Sequence, residues 1–157
     1  MNKKLKSLNS LSKIRESLRR RRKKVVFTNG CFDILHVGHV SYLRKAKACG
    51  DVLIVGLNRD SSVRRIKGSK RPIVGERDRA RVLSELECID YIVFFAEDTP
   101  RKVIEVLRPD VLIKGSDWSM NKIVGKDVLD KYGGTVKRIR LVKGKSTTSI
   151  IKKIQKL

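Results

Sequence analysis

Five short apolar runs, at 24–29, 52–58, 89–95, 111–114 and 135–142, alternate along this chain with helix-like stretches at 39–49, 76–86, 100–107, 125–132 and 147–155. No other feature narrows the fold so far. Runs of Val, Ile and Leu without polar alternation suit strands covered on both faces. Strand-like and helix-like segments that take turns with short links argue for a parallel sheet with helices on each side. Ahead of the first run, Leu8, Leu11, Ile14 and Leu18 mark an amphipathic helix over about 8–21. It ends on Arg19-Arg20-Arg21-Arg22-Lys23-Lys24, where cations complement the helix dipole. A chain of 157 residues can bury one proper core. The expected architecture is a doubly wound α/β fold with a five-stranded, mainly parallel sheet. A basic N-terminal helix within 1–24 packs on the domain formed by 25–157.

Ligands of such sheets lie outside the carboxyl ends of the strands. Four segments fall there: 29–39, 58–72, 114–118 and 143–148. The first reads Asn29-Gly30-Cys31-Phe32-Asp33-Ile34-Leu35-His36-Val37-Gly38-His39 and leads into a helix. A helix start offers phosphate its free N–H groups and its positive dipole end. Imidazoles placed there can hydrogen-bond phosphate oxygens and stabilise charge that builds during phosphoryl or nucleotidyl transfer. Gly38 lets a ligand approach the backbone. His36 and His39 are the chain's only histidines, and both fall in this one turn. Zinc fits poorly, because Cys31 is the single further ligand nearby and neither Cys-x-x-Cys nor His-Glu-x-x-His occurs.

The other three segments have bland readings beside functional ones. Lys67-Gly68-Ser69-Lys70-Arg71-Pro72 is a basic loop, either a solvated charge run or a phosphate contact in which Arg supplies a fork and Lys a point charge. In Lys114-Gly115-Ser116-Asp117-Trp118, the carboxylate can accept from ribose hydroxyls or an amine and the indole can wall a base; a turn Asp and a core Trp are the alternative. Lys143-Gly144-Lys145-Ser146-Thr147-Thr148 is not a Walker A loop, since Ile139 stands where the first glycine belongs. Ser146 or Thr147 instead suits the N-cap of the last helix, with or without a phosphate on it.

The net charge of +22 favours anionic partners. Residues 1–24 carry +10 of it, with eleven Lys/Arg against Glu16 alone. The block Arg19–Lys24 has no interleaved aromatics and no nucleic-acid motif, so it reads as a solvated helix end and nucleic acid is not the expected partner. No apolar run approaches the ~20 residues of a membrane span, so no membrane insertion is expected. The N-terminus lacks the apolar stretch of a signal peptide. Three widely spaced cysteines, Cys31, Cys49 and Cys88, suit reduced thiols in a cytoplasmic protein.

Residues 29–39 resemble the nucleotidyltransferase superfamily marked by His-x-Gly-His. Over about 8–156 the chain is similar to the heptose 1-phosphate adenylyltransferases, the second enzymatic domain of bacterial ADP-heptose synthesis. The matching pieces are Phe27-Thr28-Asn29-Gly30-Cys31-Phe32-Asp33 with His36-Val37-Gly38-His39, Gly50-Asp51, Asn58-x-Asp60, Lys67-Gly68-x-x-Arg71-Pro72 and Arg79. They continue with Glu97-Asp98-Thr99-Pro100, Pro109-Asp110, Lys114-Gly115-x-Asp117-Trp118 and Ser146-Thr147-Thr148-x-Ile150-Ile151-x-x-Ile154. Arg77-Asp78 departs from the acidic residue and glutamine more usual before the arginine.

The resemblance implies a Rossmann-like nucleotidyltransferase fold. It also implies the reaction of ATP with D-glycero-D-manno-heptose 1-phosphate to give ADP-heptose and pyrophosphate, with Mg²⁺ carried mainly by the ATP phosphates. His36, His39, Lys67 and Arg71 would be catalytic. ATP would contact Asn29, Gly30, Cys31, Phe32, His36, Gly38, His39, Lys114, Gly115, Asp117, Trp118, Ser146, Thr147 and Thr148. The sugar phosphate would contact Asp33, Asp60, Lys67, Arg71 and Arg79, with Asp33 either orienting the turn or helping to hold metal. Homodimers are common among similar proteins. The same motif also serves cytidylyltransferases for glycerol 3-phosphate or a related alcohol phosphate, and FMN adenylyltransferases. A non-catalytic basic nucleic-acid-binding protein is the alternative of a different class.

Overall fold

The computed structural model describes residues 3–157, so positions 1 and 2 of the N-terminal segment lie outside it. In chain order the elements are α1 (Leu8–Arg20), β1 (Val25–Gly30), α2 (Val37–Lys47), β2 (Val52–Asn58), α3 (Asp60–Lys67) and α4 (Glu76–Ser84). There follow β3 (Tyr91–Phe95), α5 (Arg101–Leu107), β4 (Val111–Gly115), α6 (Lys126–Asp130), β5 (Thr135–Ile139) and α7 (Thr147–Ile154). All five strands are parallel, in the order β3-β2-β1-β4-β5.

That order reverses its winding between β1 and β4, and a crevice opens there. Backbone pairing of β1 with β4 is confined to Val26↔Val111 and Phe27↔Leu112, although both strands run on toward their carboxyl ends. Beyond the ladder, side chains bridge the gap. Thr28 Oγ1 donates to the Ile113 carbonyl at 3.1 Å, and Lys114 Nζ donates to Asn29 Oδ1. Strands that part at a switch point leave room for a ligand between them.

Alternation along β1 divides the core. Val25 and Phe27 face α1, α5 and α6, in a cluster with Leu11, Leu18, Leu107 and Leu129. Val26 faces α2 and α4, with Leu43, Ala80 and Leu83. Helix α1 forms because Ser7 caps the Ser10 amide at 3.2 Å and its apolar stripe buries Leu11 and Leu18. Residues just before it lie along β3: Lys6 N donates to Ile92 O and Ile92 N to Lys4 O, both at 2.9 Å. A free sheet edge is thereby partly paired.

Most element ends lie within one or two residues of the sequence pattern, and two departures are larger. Within the segment 58–72, for which the pattern marked no helix, residues 60–67 form helix α3, and Lys67, expected to open the basic loop 67–72, belongs to its last turn. Arg59 supplies no side-chain cap there and Val63 is the helix's single buried apolar residue, so the usual sequence signals are weak. Strand β5 ends at Ile139 rather than 142, being an edge strand with Thr135, Lys137 and Arg138 exposed. No described helix is long and apolar enough to cross a membrane.

Candidate active site

The turn after β1 is held from behind by two buried charged side chains. Asp33 is 3% exposed. Its carboxylate accepts from the amides of Ile73 and Val74, each at 2.8 Å, and from Arg71 Nε. Burial alone would raise this carboxyl. The amides of Val74 and Ile73 and the Arg71 guanidinium outweigh it and hold it below the usual carboxylate range. From α4, the fully buried Arg79 donates to Val74 O at 2.9 Å, to Cys31 O, and to Asn58 O and Asp60 Oδ1 at 2.8 Å each. Between them the two side chains tie the β1 turn to the end of β2 and to residues 71–74. Phe32 takes a positive φ of 44° in that turn, a strained conformation that these ties sustain.

Helix α2 begins at the far side of the turn. His36 is its N-cap, with Nδ1 accepting from the Gly38 amide at 3.1 Å. That bond fixes Nδ1 as acceptor and leaves Nε2–H as the donor of a neutral ring. His39 stacks on His36 with centroids 3.8 Å apart, and Phe32 meets it edge-on at 5.1 Å. Gly38 makes this possible: a Cβ there would lie 2.9 Å from the His36 ring and 3.3 Å from Lys145 Cβ. Burial and nearby Lys145 lower the His36 pKa, while burial and His36 lower that of His39 to about 4. His39 Nδ1 is buried with no hydrogen-bond partner among the described residues. A pair of uncharged imidazoles beside an unfilled polar atom is suited to meet an anion.

Opposite them, the end of β4 delivers Lys114 and Gly115, and the turn after it Asp117 and Trp118. Burial brings the Lys114 ammonium down to about 8 against the pull of Asp117, and its Nζ sits 5.7 Å from the Trp118 ring centroid. A Cβ on Gly115 would fall 2.3 Å from Asp117 Oδ1, so the glycine makes space for that carboxylate. The third wall is the start of α7. Ser146 Oγ accepts from the Ser149 amide at 3.0 Å and Ser149 Oγ accepts from the Ser146 amide at 3.2 Å, a capping box. Thr147 Oγ1 reaches Ile34 O at 3.3 Å and pins the helix to the β1 turn.

These walls enclose one cleft of about 660 Å³. Asn29, Gly30, Cys31, Phe32, Asp33, His36, Gly38 and His39 border it, with Lys67 and Arg71, Lys114, Gly115, Asp117 and Trp118, and Ser146, Thr147 and Thr148. Asp60 and Arg79 do not reach it. Arg79 spends its donors on carbonyls and on Asp60, and Asp60 lines a separate hollow with Gly75, Glu76, Arg77 and Asp78. Asp33 presents its edge to the cleft but has its carboxylate committed to Arg71, Ile73 and Val74. Burial pushes the Cys31 thiol up despite Lys67, Arg79 and Arg71, which disfavours the thiolate.

Several residues that border the cleft were given no site role from the sequence, and two of them bear on its chemistry. Tyr42, one helical turn past His39, shares a 2.8 Å hydrogen bond with Thr28 Oγ1. Since Thr28 gives its own proton to Ile113 O, Tyr42 is the donor to Thr28 and its oxygen can still accept. Lys145 stands next to the Ser146 cap, where the position of a capping residue was the available signal.

A family model described as cytidylyltransferase-like matches residues 27–153. The bifunctional protein HldE of Geobacter metallireducens is 58% identical over 151 residues, which are 96% of this chain and 31% of that protein. The chain therefore spans about a third of the length of such relatives. A lipopolysaccharide core biosynthesis protein from Thermoplasma volcanium superposes with a TM-score of 0.64 at 34% identity, covering 78% of this chain and 99% of that one. Pantoate-beta-alanine ligase from Francisella tularensis shares the fold alone, with a TM-score of 0.61 at 16% identity over 98% of this chain and 78% of its own.

The depressed His39 has a consequence for stability. Unfolded, its imidazole titrates near 6.5; folded, near 4. Its contribution is complete above the higher value and is lost as pH falls across that window, because the unfolded chain takes up a proton that the folded one does not. The slope is at most about 1.4 kcal/mol per pH unit, less what water reaching the ring screens. We expect the urea midpoint to fall between about pH 7 and pH 5, and to fall less in His39→Gln. An equal fall in both proteins would contradict the assignment.

Proposed function

The chain belongs to the cytidylyltransferase-like family of nucleotidyltransferases, and from that premise we propose that it transfers AMP from ATP to D-glycero-D-manno-heptose 1-phosphate. The products are ADP-heptose and pyrophosphate. One observation supports this reading above all. The stacked, uncharged His36 and His39 at the head of α2 share a single cleft with Lys67, Arg71, Lys114 and the start of α7. The high identity to HldE over nearly the whole chain and the likeness to a lipopolysaccharide core biosynthesis protein favour a sugar phosphate as acceptor.

In this reaction a phosphate oxygen of the sugar attacks the α-phosphorus of ATP in line. The bond from that phosphorus to the β,γ-pyrophosphate breaks, and the electron pair leaves with the pyrophosphate. The attacking oxygen is already anionic, so no general base is needed. The chain has to align the two anions and offset their repulsion. His36 and His39 would donate to α- and β-phosphate oxygens, with the backbone at Cys31 and Phe32 holding the α-phosphate region. The amides opening α7 would take the phosphate tail, beside Lys145. Arg71 keeps its terminal amino groups for the acceptor or the departing pyrophosphate, since its Nε alone is given to Asp33. Lys67 would act with it. Asp117, Trp118 and the accepting oxygen of Tyr42 would face the nucleoside.

Mg²⁺ would enter on the triphosphate and neutralise part of its charge. The residues fit that mode: Asp33, the acid nearest the turn, is engaged on both oxygens, and no group of three His, Cys, Asp or Glu among the described residues is arranged to hold a metal. We place the protein in the cytoplasm, where its three free thiols would stay reduced.

Pyrophosphate release tests the reading, with ATP or CTP offered against heptose 1-phosphate and glycerol 3-phosphate. The expected result is a kcat/KM at least about tenfold higher for ATP with the heptose phosphate than for any other pair, a difference of about 1.4 kcal/mol. A preference for CTP with glycerol 3-phosphate would replace the adenylyl reading, and no release with any pair would remove it. His39→Ala should lower kcat by about 10²–10³ or more while the protein remains folded, the scale for losing one donor to transition-state charge. Near-normal turnover would end the role given to His39.

A further inference from the structure

The edge of the sheet opposite the cleft carries a second concentration of positive charge. Arg19, Arg20, Arg21, Arg22, Lys23 and Lys24 are six successive exposed cations at the end of α1 and in its link to β1. Their backbone is well defined: Arg22 N bonds to Arg19 O at 3.0 Å, Lys23 N to Leu18 O at 2.9 Å, and Asp51 N to Lys24 O at 2.9 Å. Helix α2 ends beside them, with Gly50 against Lys24, and brings the exposed Arg44 and Lys45 of its last turn toward the same edge.

Three aspartates of this edge are already committed, while Glu16, one helical turn before Arg19 and Arg20, offsets a single charge of the cluster. Asp51 takes the Lys24 amide at 2.7 Å and Lys23 at 3.6 Å. Asp90 takes the Leu53 amide and Lys47, both at 2.6 Å. Asp110 takes the Val25 amide at 2.7 Å and Arg15 at 3.0 Å. None of Arg19, Arg20, Arg21, Arg22 and the Lys24 side chain forms an ion pair among the described residues. The length of β1, at roughly 3.3 Å per residue, sets them about 20 Å from the cleft, too far to serve its phosphates.

We propose that this face docks the protein on an anionic lipid bilayer. The occupant follows from what the face holds and lacks. The apolar stripe of α1 is turned into the core through Leu11 and Leu18, so nothing in α1 is left to insert and attraction is by charge alone. Among the described residues Trp118 is the one aromatic among the exposed large hydrophobic side chains and it lies in the cleft, while Tyr91 and Tyr132 at this edge are half-buried, so no fully exposed ring is offered here to unpaired bases. The cations lie at the amino-terminal pole of the strands, between the end of α1 and the start of β1 and away from the cleft. A flat anionic surface meets such a pole end-on and leaves the cleft pointing toward solvent. Each Lys or Arg near such a surface contributes about 1 kcal/mol, and clusters of four to eight suffice for recognition.

The test is flotation of the full chain with vesicles of phosphatidylcholine containing about 30% phosphatidylglycerol, against phosphatidylcholine alone, at about 0.1 M and 0.5 M NaCl. Duplex DNA and single-stranded RNA are titrated at the lower salt. The comparison proteins carry Arg19→Gln, Arg20→Gln, Arg21→Gln and Arg22→Asn together, or lysine at all four positions. Asn suits position 22, where φ is 54°. We expect binding to the anionic vesicles alone, lost at high salt, weakened on the order of 100-fold or more in the Gln/Asn protein and kept in the lysine protein. Pyrophosphate release in solution should be unchanged in all, which also shows that they fold. Equal binding to neutral vesicles, no binding to either, or undiminished binding by the Gln/Asn protein would overturn the proposal. So would tighter binding to nucleic acid than to vesicles, lost with the same substitutions.

Discussion

A buried carboxylate and a buried guanidinium hold the rest of the cleft in place. Asp33 and Arg79 lie behind the β1 turn, and burying either charge would be costly if it were unpaired. Neither is. Asp33 is filled by two amides and Arg71, and Arg79 by three carbonyls and Asp60. Because each partner sits on a different segment, satisfying the two charges also sets the relative positions of β1, β2, α3 and residues 71–74. The positive φ of Phe32 and the inward aim of Arg71 both follow from those ties.

With the scaffold fixed from behind, the front of the turn can afford to be under-satisfied. His39 Nδ1 lacks a partner, both histidines are held uncharged, and Lys114 is partly stripped of water. In an empty cleft these are small penalties spread over a few groups. A polyphosphate would relieve them together, since its charge favours the protonated imidazoles and the ammonium that burial disfavours. Donors that are already oriented need little reorganisation when charge shifts during transfer.

Much of the fold was legible because its signals are local. Strand runs such as 52–58 and the stripe Leu8, Leu11, Ile14, Leu18 report burial directly. Helix α3 gave no such signal, having one buried apolar residue and no side-chain cap. In the cleft, the turn 29–39 and the segments 114–118 and 146–148 could be found from glycines, histidines and a capping serine placed after strands. The direction of a long side chain could not. Arg79 was expected at the sugar phosphate from the resemblance, yet its guanidinium turns inward to carbonyls brought together only by the tertiary fold. Tyr42 was hidden for the same reason. Its neighbour in space is Thr28, fourteen positions away, and that pairing depends on how α2 lies over β1.

The molecule thus has positive charge at each end of its strands, gathered in a cleft suited to a small polyanion at one end and in a row of exposed cations at the other. What distinguishes the cleft is the state of its two histidines, the only ones in the chain, so their NMR signals can be followed without ambiguity. The decisive measurement is their titration with and without a non-hydrolysable ATP analogue. With the cleft empty His39 should titrate near 4, and with the analogue bound its pKa should rise by about one unit or more. An unchanged titration at saturating analogue would contradict a phosphate site at the head of α2.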